Sequence, residues 1–267
     1  MNRIDETFAR LREEGRAAFI PFITAGDPDL ETTAALLKEL DRRGASLIEL
    51  GVPFSDPIAD GPTIQASYTR ALERGITVER IFQMVASVRD EAAAPILTMI
   101  SVSLVHRMGF PTYIERAQSA GIDGAIVPDL PVEEADEPAR LAREADFPLV
   151  LLSAPTTPEP RRRLIARHSR GFIYCVSLTG ITGARDRLPA EVVDHVRALK
   201  ALTDTPVCVG FGVSRPEQVK RLSKVADGVI VGSAIVRLIE AKGQAPRDEL
   251  VRAVGDFVAD LAAATAR

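Results

Sequence analysis

The chain has 267 residues, 33 Lys and Arg against 37 Asp and Glu, a net charge of −4, and a hydrophobic content of 46%. This composition supports one large core or two small ones, and it carries no basic stripe of the kind that grips a phosphate backbone, which excludes nucleic acid as a partner. Apolar stretches such as PILTMISVSLV at 95–105 are interrupted by hydroxyls and fall short of the roughly 18 residues a membrane span needs, which excludes a membrane protein.

The first segment, MNRIDETFARLREEG, is charged throughout and lacks the apolar centre of a secretory signal. Cys175 and Cys208 have no CxxC spacing and sit in apolar runs, so they read as buried thiols in a cytoplasmic protein. Ile4, Phe8 and Leu11 share one helical face. From there, short β-rich runs alternate with longer stretches of helical period: AFIPFIT (18–24), LIELG (47–51), PILTMI (95–100), GAIVP (124–128), LVLLS (149–153), FIYCVS (172–177), PVCVG (206–210) and GVIVGS (228–233). The intervening stretches are long enough for crossover helices. In DLETTAALLKELDRRG, Leu30, Ala34, Leu37 and Leu40 recur at helical spacing before Gly44 ends the run. Eight parallel strands with crossovers predict one (β/α)8 TIM barrel spanning residues 1–267, with the first helix capping its N-terminal end and a short helix after strand eight. An open doubly wound sheet is the alternative.

A barrel of this kind carries its chemistry at the C-terminal ends of the strands. Glu49 lies near that end of strand two and alternates with Ile48 and Leu50, so it points into the barrel. None of the eight strand runs contains a Lys or Arg to pair with it. A carboxyl buried without a partner acquires a raised pKa and suits proton transfer. The loop that follows, GVPFSDPIADGPTIQ, holds Asp56 and Asp60, which serve either as turn and cap residues or, for Asp60, as a second carboxylate over the same mouth.

The last three strands end in glycine-rich turns, SLTGITG, VGFGVS and VGSAIV. The backbone N–H groups of Gly212, Gly232 and Ser233, the latter two opening a helix, are placed to hold a phosphate dianion, which implies a small phosphorylated substrate. His106, His168 and His195 have no metal-ligand spacing and read as surface or packing residues, and RRRLIAR at 161–167 reads as a solvated helix face. Phe22 and Tyr174 are ambiguous from pattern alone, with core packing the default.

Taken together, PFITAGDPD, IELGVPFSDPIADGPTIQ, PDLPVEEA, APTTP, GITGAR, GFGVS and VGSAIV resemble the tryptophan synthase α-subunit family along almost the whole chain. The resemblance implies a (β/α)8 barrel that cleaves indole-3-glycerol phosphate to indole and glyceraldehyde 3-phosphate without a cofactor. It also implies delivery of the indole to a β subunit that carries pyridoxal phosphate, in an α2β2 assembly. The family's catalytic acid/base falls on Glu49 and its indole N–H acceptor on Asp60. Phe22, Met99 and Ile230 match indole-pocket positions, and Tyr174 matches a tyrosine flanking the glutamate. Gly183, Phe211, Gly212, Gly232 and Ser233 match the phosphate site. Thr182 falls on a loop that closes over the one bearing Asp60, and Asp56 on the face that meets the β subunit. The chain departs from the pattern after strand three, where Ser101, Val102, Ser103 and Leu104 replace a Tyr-Tyr-Asn-Pro-like run, and at Leu178, where an Arg is common. A stand-alone lyase of the same chemistry, releasing free indole, is the alternative activity.

Overall fold

A computed structural model describes residues 2–57, 60–176, 190–210 and 212–266. Helices alternate with nine parallel strands in the described residues: β1 (Ala18–Thr24), β2 (Ile48–Gly51), β3 (Ile96–Met99), β4 (Gly124–Ile126), β5 (Leu149–Val150), β6 (Leu152–Ser153), β7 (Ile173–Val176), β8 (Val207–Gly210) and β9 (Gly228–Val231). They pair in the order β5-β4-β3-β2-β1-β9-β8-β7-β6. Only Leu151 separates β5 from β6, so the two ends of that order belong to one chain run and the sheet closes on itself. The expected (β/α)8 barrel is the observed fold.

The fifth predicted strand, 149–153, is present but broken. At Leu151 the amide N–H donates to the Ser169 hydroxyl at 3.3 Å, while its carbonyl accepts from the Tyr174 N–H at 3.1 Å. For that one residue a side chain replaces the neighbouring strand as the hydrogen-bond acceptor, and the regular ladder lapses.

The strands are covered on both faces, which is why their sequences run almost continuously apolar. Phe19 and Ile23 of β1 pack outward against the helix layer, while Ala18, Ile20 and Phe22 point into the lumen. The helix Arg3–Glu13 closes the N-terminal end as expected, for Ile4, Phe8 and Leu11 join the lumen cluster and the Phe8 ring lies 6.0 Å from that of Phe172. This plug leaves the opposite end as the open mouth.

The helix Leu30–Arg42 starts where Asp29 accepts the Thr32 N–H at 2.6 Å, and it buries Leu36, Leu37 and Leu40. Leu30 and Ala34, expected on the same stripe, are only partly buried, because the contact face is centred on Leu36 and Leu40. No helix among the described residues is long and apolar enough to cross a membrane.

Candidate active site

Glu49 lies on the lumen side of β2, in register between Phe22 of β1 and Leu97 of β3. Every other residue of the described strands is uncharged. Its side chain is 1% exposed, and neither carboxyl oxygen has a hydrogen-bond partner among the described residues. Burial without a counter-charge, reinforced by the negative charge of Asp60, pushes the Glu49 pKa up to about 8. Ionising this carboxyl therefore costs about 5 kcal/mol more in the folded chain than in water.

Asp60 is held at the mouth by the helix that follows it, Pro62–Glu73, whose N-terminus is set by Gly61 and a proline in the first turn. The Gln65 amide ties the loop back by donating to the carbonyls of Asp60 at 2.8 Å and Pro57 at 3.2 Å. The helix is in turn pinned to the barrel: Thr24 and Ser67 share a buried hydroxyl pair at 2.6 Å, and Arg70 grips Asp27 through two bonds of 2.8 and 3.0 Å while reaching Glu240 at 2.8 Å. Burial, then the charge of Asp129, pushes the Asp60 pKa up to about 6.

Glu49 and Asp60 line one cleft of about 490 Å³ together with Phe22, Gly61, Ile64, Met99, Tyr174, Gly212, Ile230, Gly232 and Ser233. The barrel thus brings together nine residues singled out from sequence: Glu49, Asp60, Phe22, Met99, Tyr174, Gly212, Ile230, Gly232 and Ser233. Thr182, Gly183 and Phe211, like Leu178, lie outside the described residues. The aromatic walls depend on two missing side chains. A Cβ on Gly51 would stand 2.5 Å from Phe22 Cζ, and one on Gly210 would stand 2.5 Å from the Tyr174 hydroxyl, so both rings lie directly across a neighbouring strand. Phe22, Ile64, Met99 and Ile230 give the cleft an apolar slot, and Glu49 stands at its inner end.

The rim of the cleft after β9, beside Phe22 and Ile230, is suited to an anion. The helix Ser233–Lys242 opens at Gly232 and Ser233, so its unpaired N–H groups and positive dipole end are at the cleft. It runs ten residues, longer than the short helix expected there.

A second cavity, about 310 Å³, shares Asp60 and Met99 with the first and is further lined by Asp56, Tyr68, Ser101 and Asp129. Sequence reasoning gave Tyr68, Ile64 and Asp129 no role. Ile64 and Tyr68, four residues apart on the helix after Asp60, carried a legible signal, as did the position of Asp129 just past strand four. The Ser101 departure is structural here, for its hydroxyl caps the helix Val102–Met108. Asp56 is exposed and accepts the Ser55 hydroxyl at 2.6 Å.

The remaining candidates stay out of the cleft. His106 packs edge-on against Phe110 at 5.4 Å, His168 meets Asp136 at 3.2 Å, and His195 meets the Ser153 hydroxyl at 3.0 Å. Arg161 and Arg163 point to solvent and pair with Glu133 and Glu159. Both cysteines are free and buried.

The family profile described as "Tryptophan synthase alpha chain" matches residues 8–265. The chain belongs to the tryptophan synthase alpha chain family. Among relatives of that name, one from Picosynechococcus is 46% identical over 267 residues, covering all of both chains. Another, from Caldanaerobacter subterraneus, is 44% identical over 261 residues, 98% of each. The fold is similar to the crystal structure of tryptophan synthase subunit alpha from Legionella pneumophila, with a TM-score of 0.91 and 35% identity over 99% of this chain and 98% of that one. It also resembles a chain from the tryptophan synthase α2β2 complex of Pyrococcus furiosus, with a TM-score of 0.86 and 42% identity over 92% of this chain and 98% of that one. As a member of the tryptophan synthase alpha chain family the protein is a lyase of tryptophan biosynthesis.

Proposed function

We propose that this barrel cleaves indole-3-glycerol phosphate to indole and glyceraldehyde 3-phosphate, with Glu49 as the proton-transfer group and Asp60 as the acceptor of the indole N–H. The observation that carries this reading is the unpartnered Glu49 carboxyl sharing one cleft with Asp60. Breaking the bond between ring carbon C3 and the glycerol chain needs a proton added at C3 and one removed from the neighbouring hydroxyl. With a pKa of about 8, Glu49 holds a proton at neutral pH and can give it to C3. The carboxylate so formed takes the hydroxyl proton, the carbonyl forms, and the bonding pair returns to the ring, which restores Glu49 for the next turn. Asp60, with a pKa of about 6, is ionised at neutral pH and stabilises the positive charge that the ring carries between the two steps.

These residues supply the proton chemistry themselves, so the reading assigns the chain no cofactor, and pyridoxal phosphate belongs to the β partner. The overall activity falls in the carbon–oxygen lyase class, with a retro-aldol carbon–carbon cleavage as the α reaction. The chain works in the cytoplasm as one barrel domain spanning residues 1–267. The phosphate binds between the Gly212 turn and the N-terminus of the helix Ser233–Lys242. Gly212 has φ +71°, a conformation that favours glycine and brings the backbone close to an anion. Gly212→Leu is expected to raise KM at least tenfold with smaller loss in kcat, checked by steady-state kinetics on folded protein; an unchanged KM counts against the phosphate site.

The partner is a β subunit in an α2β2 assembly, as in the solved Pyrococcus furiosus complex. The loop after β2 supports this, since Asp56 is exposed on the same segment that carries Asp60. Contact at one end can order the other. The test is an indole-release assay on indole-3-glycerol phosphate with and without a β subunit. The chain alone is expected to be slow and to speed up greatly with the partner. Equal turnover in both would favour the stand-alone lyase.

A further inference from the structure

The second cavity at the mouth contains a carboxylate with no part in the reaction just described. Asp129 follows β4, and both its oxygens are fixed: Oδ2 accepts the Ser101 hydroxyl at 2.6 Å and Oδ1 accepts the Val102 N–H at 2.8 Å. These bonds hold it against a cavity whose lining also includes Asp60. The charged and titratable groups lining the two cavities are Asp56 and Asp60 on the loop after β2, Glu49 on β2, Tyr68 on the helix after Asp60, Asp129 after β4 and Tyr174 on β7, with no Lys, Arg or His among them. Among the described residues, no cationic side chain in either lining neutralises the two aspartates.

We propose that Asp129 is a positioning residue for the cleavage, a fixed negative charge that faces Asp60 and keeps it a strong acceptor for the ring N–H. The proposal rests on the assignment of Asp60 above. A carboxylate held near another in a poorly solvated cavity gives up its proton less readily, which makes it more basic and a better hydrogen-bond acceptor once ionised. The upward push on the Asp60 pKa, with Asp129 as its second cause after burial, agrees with this geometry. Glu49 lies deeper, and among the described residues the charge that raises its pKa after burial is that of Asp60, so under this proposal Asp129 acts through Asp60.

Asp129→Asn separates charge from shape. The amide oxygen still accepts the Val102 N–H, and the amide N–H2 can donate to the Ser101 hydroxyl in place of accepting from it. The midpoint of Asp60 is read directly from its side-chain carboxyl 13C resonance in ligand-free protein, assigned by its loss in Asp60→Asn. In Asp129→Asn it is expected to fall by at least about half a unit, because a like charge has been removed. Asp129→Glu, which keeps the charge, is expected to bring the midpoint most of the way back. The acid limb of the kcat/KM profile should move down with the midpoint. Asp129→Ser, smaller and equally neutral, carries the same expectation where the amide does not fold.

An Asp60 midpoint that stays put or rises in the folded neutral variants overturns the proposal. So does a midpoint that falls while the acid limb stays where it was. If Asp60→Asn itself keeps full activity, the assignment of Asp60 fails instead, a result the ligand-free titration cannot produce or mask.

Discussion

Glu49→Gln is expected to lower turnover by at least 10²–10⁴-fold, the range typical of a lost general acid–base, while leaving the fold intact. Gln matches the protonated Glu49 in size and in neutrality, so the lumen of the barrel is undisturbed, but it can neither give a proton to C3 nor take one from the hydroxyl. The same substitution should stabilise the protein. The native chain holds the Glu49 proton up to about pH 8, whereas an unperturbed carboxyl releases it near 4.5. Between those values the native state binds more protons than the unfolded one, so the contribution of Glu49 to stability falls as pH rises through that window and levels off above it. Gln has no such penalty. Its advantage over wild type should be small below pH 4.5, reach about 3 kcal/mol near pH 7 and stop growing above about pH 8. Paired denaturation curves across this range check the stability, and single-turnover indole release checks the chemistry. Cleavage within tenfold of wild type would refute the mechanism; a stability gain that does not vary with pH would refute the raised pKa.

Asp60→Asn is expected to cost about 10²-fold or more in kcat/KM and to change the shape of the pH profile. Wild type should be bell-shaped, with an acid limb near the Asp60 value of about 6 and a basic limb near the Glu49 value of about 8, because the reaction needs Asp60 ionised and Glu49 protonated. The Asn oxygen still accepts the indole N–H, so binding survives better than turnover. What it lacks is the negative charge that steadies the cationic ring. The acid limb should disappear. The basic limb should move down, since the charge of Asp60 helps to hold the Glu49 pKa high. A retained acid limb near pH 6 would show that some other group must be ionised for the reaction.

The sequence by itself determined that Glu49 points into the barrel. Alternation along LIELG is enough to put Glu49 in the lumen, because side chains on a strand switch faces at every step, whereas AFIPFIT is apolar throughout and Phe22 stays ambiguous until the barrel places it beside Glu49. The absence of Lys and Arg from the strand runs was also legible, and it implied the unneutralised carboxyl that the barrel shows. Ile4, Phe8 and Leu11 announced the plug at the N-terminal end by helical period alone. The same kind of reading is what suggested a phosphate wall, since three glycine-rich strand ends fall where a barrel presents its loops.

Only the tertiary structure decided which of these inward groups meet. Periodicity assigns a residue to a face but says nothing of its neighbour across the barrel, and Asp60 and Asp129 come from loops after β2 and β4, with a third strand between them. Their shared cavity exists because closure of the sheet gathers the C-terminal ends of the strands around one mouth. The break at Leu151 was equally invisible, for it depends on the Ser169 hydroxyl arriving from beyond the next helix to take an N–H that the strand pattern reserves for a neighbour. Tyr68 has no role in the sequence reading, and only the structure shows that the missing side chain of Gly51 lets its hydroxyl reach the strand. In each case the deciding quantity is a distance between residues far apart in the chain, and such distances are set by the packing of the closed barrel rather than by local sequence.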